Sequence, residues 1–309
     1  MHEKSNVLLS LCIATDGKVS LVLPAIESIY SQGVDNNLFE VVVTDNGDKD
    51  DLETAIKQFS YSNFHYYRTQ AVGFTNQISA VEKSSGIFIK LVSHRCRMLP
   101  GSIKELISVI DHYKSQKPII FCGDGYIKSE ELVNCDSIND FVKVMSFMAT
   151  WAGGTCVWRD DLVNYQSQKI NEMFPHTLFL FQLRKDSKYV IWNKKITTMV
   201  DDRKKGGYNF FHTFAVEFMD IIHELRITNK ISIETFLKTK KELFNFLTDT
   251  YIIEKVFPSR HKYILSGIKS SMSVHFGALY YYYMILFAYL IIPYKVFRKL
   301  VLGKSFLAR

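Results

Sequence analysis

Along the first 125 residues, short apolar runs alternate with longer stretches whose apolar positions recur at helical spacing. Residues 7–14 (VLLSLCIA) read as a strand and 19–32 as a helix; residues 39–44 (FEVVVT) form a second strand, nearly continuous in apolar residues as strands covered on both faces are. The pattern then predicts a short helix over 50–59, a strand over 63–68, a helix over 75–85, a strand over 87–92, a helix over 101–114 after Pro100, and a strand over 118–122. This alternation belongs to βαβ units in a doubly wound α/β sheet with helices on both faces.

From Asn139 the texture changes. Helical patterns cover 141–148, 174–183, 209–225 and 232–256, with Ser232 as a plausible N-cap, and the stretch from Trp151 to Arg159 carries Gly153 and Gly154. Between Ser270 and Tyr294 no Asp, Glu, Lys or Arg occurs, and residues 276–292 (FGALYYYYMILFAYLII) are almost wholly apolar or aromatic. Seventeen residues make a helix of roughly 25 Å, short of a hydrocarbon core of about 30 Å. Tyrosines favour the headgroup boundary, so an in-plane or re-entrant membrane helix is expected, with a full span and a buried helix as the alternatives. The expected division is a body over 1–215, a helical extension over 216–265 and a membrane-associating tail over 266–309.

Composition refines this picture. The chain of 309 residues is 47% hydrophobic and 22% charged, which excludes a disordered or low-complexity protein. Of the net charge of +7, five charges come from Lys295, Arg298, Lys299, Lys304 and Arg309, where no acid intervenes. The body is therefore close to neutral, no basic-aromatic stripe suggests nucleic acid, and the basic end suits an anionic membrane surface. Five cysteines without a Cys-x-x-Cys pair read as buried, reduced thiols. No signal-peptide core precedes the first strand, so the expectation is a protein that starts in the cytoplasm.

Ligands of open α/β sheets bind at the carboxyl ends of the strands. Those ends carry Thr15-Asp16-Gly17, Thr44-Asp45-Asn46-Gly47, Arg68 and Ser93-His94-Arg95. Asp-Gly and Asn-Gly also serve as plain turn chemistry, but here they recur at successive strand ends. Residues 9–32, 39–51 (FEVVVTDNGDKDD) and 86–106 (GIFIKLVSHRCRMLPGSIKEL), in this order and spacing, resemble the inverting family-two glycosyltransferases of GT-A fold. The resemblance covers about residues 6–125 well and is loose to about 215. It implies a GT-A mixed sheet with flanking helices, followed by the C-terminal helical extension. It further implies a nucleotide-diphospho-sugar donor, with Thr15 and Asp16 beside the nucleotide, Asp45 bonded to the base, and Asn46 and Gly47 shaping the turn.

One motif departs from the family. Where its members place an Asp-x-Asp segment that holds Mg²⁺ or Mn²⁺ on the diphosphate, this chain has Ser93, His94 and Arg95. Hard divalent ions take carboxylate oxygens, so a Ser-His-Arg set does not reproduce that site; no cofactor is expected, with a divalent metal held without the Asp-x-Asp site as the alternative. Two readings compete. In one, Arg95 and Arg97, with Arg203, Lys204 and Lys205, neutralise the departing diphosphate. In the other, the chain is a catalytically inactive GT-A-like binding or scaffold protein.

The resemblance implies single displacement at the anomeric carbon, with a base taking the acceptor's hydroxyl proton. His176 falls about where the family's catalytic Asp does; Asp160 or Asp161 is the second choice, and Asp201 or Asp202 the third. Trp151, Gly153 and Gly154 are the acceptor-side candidates, with Trp158 a further aromatic face. Resemblance and tail together suggest a lipid-linked glycan acceptor in bacterial surface polysaccharide assembly, O-antigen or capsule, at the cytoplasmic face of the inner membrane, with peripheral or monotopic attachment.

Overall fold

The computed structural model describes residues 7–167, 169–184, 187–200, 206–256 and 261–302. The chain divides into two compact units, Met1–Asp201 and Asp202–Arg309.

In the first unit the elements are β1 (Leu9–Thr15), α1 (Val19–Tyr30), β2 (Phe39–Asp45), β3 (Phe64–Arg68), α2 (Asn76–Lys83), β4 (Phe88–Leu91), β5 (Cys96–Met98), α3 (Ser102–Tyr113), β6 (Ile119–Cys122), β7 (Leu132–Cys135), α4 (Ile138–Met145), β8 (Cys156–Trp158), α5 (Thr177–Phe181), β9 (Tyr189–Trp192) and β10 (Thr197–Met199). The main sheet runs β3-β2-β1-β4-β8, parallel except for β8, which lies antiparallel to β4. Strand alternation sends Leu9, Leu11, Ile13, Val41 and Val43 to one face, where they pack on Val22, Ile26 and Ile29 of α1 and Leu106 and Ile110 of α3. Cys12, Val42, Ile89 and Leu91 go to the other face and meet Ile78 and Val81 of α2. Both faces are covered, which is why β2 reads as a continuous apolar run.

Three details differ from the pattern read off the sequence. The strand expected over 118–122 does not extend the main sheet but joins the three-stranded sheet β6-β9-β7, touching β8 through a bridge between Phe121 and Thr155. The short strands β7, β8, β9 and β10 escape the periodicity argument because three or four residues are too few to show a period. The helix expected over 174–183 shrinks to the five residues of α5.

The second unit pairs β11 (Gly206–Asn209) in parallel with β12 (Lys262–Ile264). A helical run follows β11 through the turn Phe210–His212, the π-helical segment Thr213–Phe218 and α6 (Met219–Ile227). The α7 helix (Ile233–Val256) starts where expected, with the Ser232 hydroxyl accepting the Thr235 amide at 3.1 Å. After α8 (Ile268–His275) the chain turns at Gly277 (φ +93°) into α9 (Ala278–Leu302), a 25-residue helix with Pro293 inside it. Met284 and Ala288 of α9 are buried, and Phe244 of α7 meets the rings of Tyr280 and Tyr283 at 5.2 and 6.0 Å. The opposite side of α9 presents Leu279, Leu286, Leu290, Tyr294 and Phe297. No helix among the described residues is long and apolar enough to cross a membrane.

Candidate functional site

Register decides which polar residues meet at the carboxyl edge of the sheet. Thr15 lies opposite Asp45, and Asp45 opposite Arg68. On the other side of β1 the chain leaving β4 stays attached: the Val92 amide donates to the Cys12 carbonyl at 2.8 Å, and His94 Nδ1 lies 3.2 Å from the Ala14 carbonyl. The result is one row across four strands, in the order Arg68, Asp45, Thr15, His94.

Asp45 is wholly buried and accepts three hydrogen bonds, leaving acceptor capacity on its carboxylate. Its Oδ1 accepts the Gly47 amide at 2.8 Å, while Oδ2 accepts the Tyr66 hydroxyl at 2.8 Å and Arg68 Nη1 at 2.9 Å. Arg68 also donates from Nη2 to the Gly47 carbonyl at 2.6 Å, so one third-exposed guanidinium clamps both ends of the Asp45–Gly47 turn. Burial, then the Asp45 carboxylate, keeps the Tyr66 phenol protonated well above its ordinary range. The loop after β1 packs directly on this turn. Gly17 has φ +82°, and a Cβ at Gly47 would approach the Asp16 carbonyl oxygen to 2.5 Å, so both positions require glycine.

Asn46 and Asn76 knit the strand ends together. The Asn46 side chain donates to the Ala71 and Gly73 carbonyls at 2.9 and 3.1 Å. Asn76 Nδ2 donates to the Thr44 and Thr15 carbonyls at 2.9 and 3.2 Å, and its Oδ1 accepts the Thr69 hydroxyl at 2.8 Å.

Asp16 is half-exposed and ion-paired with Lys18. Burial works to raise its carboxyl, yet Lys18 and the nearby His94 together hold it below the usual range. Burial likewise lowers the His94 imidazole, against the pull of the Ala14 carbonyl and Asp16. A carbonyl oxygen only accepts, so the neutral ring donates from Nδ1 and leaves its lone pair on Nε2. Arg95 follows, half-buried, and Arg97 is exposed on β5. No cluster of three or more His, Cys, Asp or Glu side chains with metal-ligand geometry occurs among the described residues. At the Asp-x-Asp position the local donors are one imidazole and the paired Asp16, beside a guanidinium, a set that does not fit a hard divalent cation. Arg203, Lys204 and Lys205, like Asp201 and Asp202, lie outside the described residues.

The acceptor-side candidates sit on the loop between α4 and β8. Trp151 is half-buried and meets Tyr126 edge-on at 5.6 Å and Phe121 at 6.4 Å. The Gly153 carbonyl accepts the Lys90 ammonium at 2.5 Å. A Cβ at Gly154 would fall 2.3 Å from the Phe121 ring, so this glycine is there for close packing. Trp158, by contrast, is a core residue, 1% exposed and bonded through Nε1 to the Pro118 carbonyl at 2.7 Å, and it offers no face to a ligand.

The base candidates separate cleanly. His176, at the start of α5, is 2% exposed, and its Nε2 lies 3.2 Å from the Ala149 carbonyl, two residues before Trp151. That contact places the proton on Nε2 and leaves Nδ1, which is buried and has no hydrogen-bond partner, with a lone pair. Burial lowers the imidazole to about 4. Asp160 and Asp161 lie elsewhere. Because β8 runs antiparallel, its end delivers them to the amino edge of the parallel strands, where Arg159 bonds the Ile87 carbonyl, away from the row at the carboxyl edge. There Asp160 pairs with Lys117, and Asp161 takes Arg184 in bidentate fashion at 2.6 and 2.8 Å, a clamp between chain segments.

Two residues of the carboxyl-edge network, Tyr66 and Asn76, were not singled out by the sequence as ligand-side groups, and Arg68 was placed at this edge without its clamping role. The signal for Arg68 is its place as the charged end of the strand FHYYR.

Residues 10–131 match glycosyl transferase family 2. No curated protein sequence matches the chain. Among solved structures, S. aureus TarS residues 1–349 superposes with a TM-score of 0.58 at 12% identity, covering 97% of this chain and 93% of that one. The same fragment in complex with UDP-GlcNAc gives 0.55 at 14% identity, covering 81% and 73%. The longer TarS chain gives 0.54 at 13% identity over 87% of this chain, which spans 46% of its length. The mannosyltransferase PcManGT from Pyrobaculum calidifontis, solved with GDP-Man and Mn²⁺, gives 0.53 at 10% identity, covering 94% and 82%.

Proposed function

We propose, from the match of residues 10–131 to glycosyl transferase family 2 and from the GT-A fold, that this chain moves a sugar from a nucleoside diphosphate donor to a hydroxyl acceptor with inversion. The observation that carries the reading is the row Arg68, Asp45, Thr15, His94 at the carboxyl edge of the sheet. Asp45, Thr15 and Asp16, with the Asn46-Gly47 turn, form the nucleoside side. TarS and PcManGT, solved with UDP-GlcNAc and GDP-Man, support a nucleotide-sugar donor in this fold.

In this reading the diphosphate is neutralised by side chains. Arg95 and Arg97 supply fixed positive charge next to His94, with Arg203, Lys204 and Lys205 as further cations from the sequence. The acceptor oxygen attacks the anomeric carbon, the bond from that carbon to the β-phosphate oxygen breaks with its electron pair, and the acceptor proton passes to a base. Of the base candidates among the described residues, His176 is preferred, because it combines an unpartnered lone pair with a contact to the Ala149 carbonyl, two residues before Trp151. Asp160 and Asp161 are engaged at the other edge.

The acceptor is proposed to be a lipid-linked glycan of bacterial surface polysaccharide assembly, met at an anionic membrane on its cytoplasmic face. The outward apolar side of α9 and the basic residues that follow Tyr294 support this. Confinement to the surface that holds the acceptor raises their effective concentration.

The deciding experiment measures release of nucleoside diphosphate from UDP- and GDP-sugars in EDTA. Turnover that persists with chelator supports the metal-free enzyme. Turnover only with added Mn²⁺ overturns the side-chain neutralisation, and absence of binding by any nucleoside diphosphate leaves the scaffold reading.

A further inference from the structure

The interior of the first unit holds a charged group that the reaction above does not use. Lys90 stands on β4 between Ile89 and Leu91 and is 1% exposed. Its ammonium donates to the Gly153 carbonyl at 2.5 Å and lies 3.4 Å from the Leu91 carbonyl. Carbonyls carry no net charge, and a buried ammonium needs an anion to keep its own. Asp124, the buried carboxylate nearby, already accepts the Ile196 and Thr197 amides at 2.6 and 2.7 Å and the Thr197 hydroxyl as well.

The remaining ionisable groups around Lys90 are thiols. Cys122 closes β6 and Cys156 opens β8, both wholly buried, with their sulfurs 3.5 Å apart. The bridge between Phe121 and Thr155 joins the two segments antiparallel, which sends both cysteines to the same face. Cys156, then Lys90, holds the Cys122 thiol below its ordinary range, while burial and then Cys122 push Cys156 well above it. The two thiols are thus differentiated, Cys122 the more acidic of the pair and beside a cation, Cys156 the less acidic, which is the order that suits an attacking and a resolving cysteine. Cys12 and Cys135 are held differently: Cys12 bonds the Ala80 carbonyl and is strongly raised by burial, and burial pushes Cys135 up to about 11.

We propose that Cys122 and Cys156 are a thiol–disulfide pair oxidised by a hydroperoxide, with Lys90 as the positioning cation. The Cys122 thiolate attacks one oxygen of hydrogen peroxide, the O–O bond breaks, and the sulfur becomes a sulfenic acid as hydroxide leaves and is protonated to water. The Cys156 sulfur then attacks the Cys122 sulfur, the S–O bond breaks, and the departing hydroxide takes the Cys156 proton. Two thiols and one peroxide give one disulfide and two waters. Because Lys90 also bonds the Gly153 carbonyl, oxidation of the pair changes the charge beside the cation that holds the loop carrying Trp151. That consequence rests on the acceptor-side reading of this loop, whereas the thiol chemistry does not.

The test exposes the intact chain to hydrogen peroxide, alkylates the remaining thiols and reads disulfide-linked peptides by mass spectrometry. A Cys122–Cys156 link should form before any link to Cys12, Cys96 or Cys135, and dithiothreitol should reverse it. Lys90→Met should slow its formation about tenfold, and Cys156→Ser should accumulate a sulfenic acid at Cys122 that dimedone traps. A Cys122 no more reactive than Cys12 or Cys135 overturns the proposal, as does an unchanged rate in K90M. If K90M does not fold, dimedone labelling of C156S decides alone. UDP binding on the same samples keeps the two readings apart. A linked pair in a protein that binds no nucleotide sinks the enzyme reading only, and nucleotide binding without the link sinks the thiol pair only.

Discussion

Asp45 shows how much a single residue can be asked to do at a strand end. Its carboxylate organises a turn, a phenol and a guanidinium, so a nucleoside contact at this point is built on a rigid frame rather than on a mobile loop. Asp45→Asn exchanges an acceptor oxygen for a donor amide. Leaving a buried group unpaired costs roughly 1–3 kcal/mol, and UDP binding by calorimetry should weaken about ten- to a hundredfold; unchanged affinity would remove Asp45 from the site. His176→Gln should cut turnover while leaving UDP affinity intact, and equal loss of both would make it a packing residue. The strand-end position of Asp45 was legible in the sequence because a polar residue closing an apolar run marks a carboxyl edge. Tyr66 and Asn76 were not, because their partners depend on cross-strand register. Asp160 and Asp161 were misleading for a related reason: a three-residue strand gives no sign of its direction, and the antiparallel β8 delivers its end to the far edge.

At the scale of elements, α9 is the part whose surface its packing does not explain. Its inward positions bury Met284 and Ala288, while Leu279, Leu286 and Leu290 on the outer side are 81%, 60% and 66% exposed. The residues Leu279, Leu286, Leu290, Tyr294 and Phe297 recur at steps of seven, four, four and three and form one stripe, of roughly 27 Å at a helical rise of 1.5 Å per residue. A helix held on one side by protein and apolar on the other suits the boundary of a bilayer, with tyrosines at headgroup level. Leu286→Asp with Leu290→Asp changes only exposed positions, so the fold should tolerate it. Co-sedimentation of the wild-type chain with vesicles containing about one third anionic phospholipid should be strong, sensitive to salt, and lost in the double variant. Equal pelleting of both proteins would rule this surface out. The apolar, acid-free run was plain in the sequence, but which of its sides faces α7 became clear only from the fold, since the run is apolar nearly all round.

For the molecule as a whole, the balance of charge on buried groups sets how it meets acid. Two imidazoles in the first unit, His94 and His176, are held neutral by burial, His176 at about 4 against an ordinary 6.5. A histidine whose folded value is depressed binds its proton more readily in the unfolded chain, so its contribution to stability is complete above pH 6.5 and is lost as pH falls toward 4. Every tenfold weakening of proton affinity on folding corresponds to about 1.4 kcal/mol, so His176 alone accounts for a loss of roughly 3 kcal/mol across that window. Asp161, raised by burial, acts in the opposite sense around a lower pH and does not mask this slope, and Asp16, held low, adds to it only in stronger acid. All three tryptophans, Trp151, Trp158 and Trp192, belong to the unit that contains both histidines, so their fluorescence follows its unfolding without a signal from the second unit. Urea midpoints read this way should fall steadily from pH 7 to pH 4.5 in the wild-type chain and much less in His176→Asn. Parallel curves for the two proteins would mean that His176 is already protonated in the folded state, and with it would go the lone pair that qualifies it as a base.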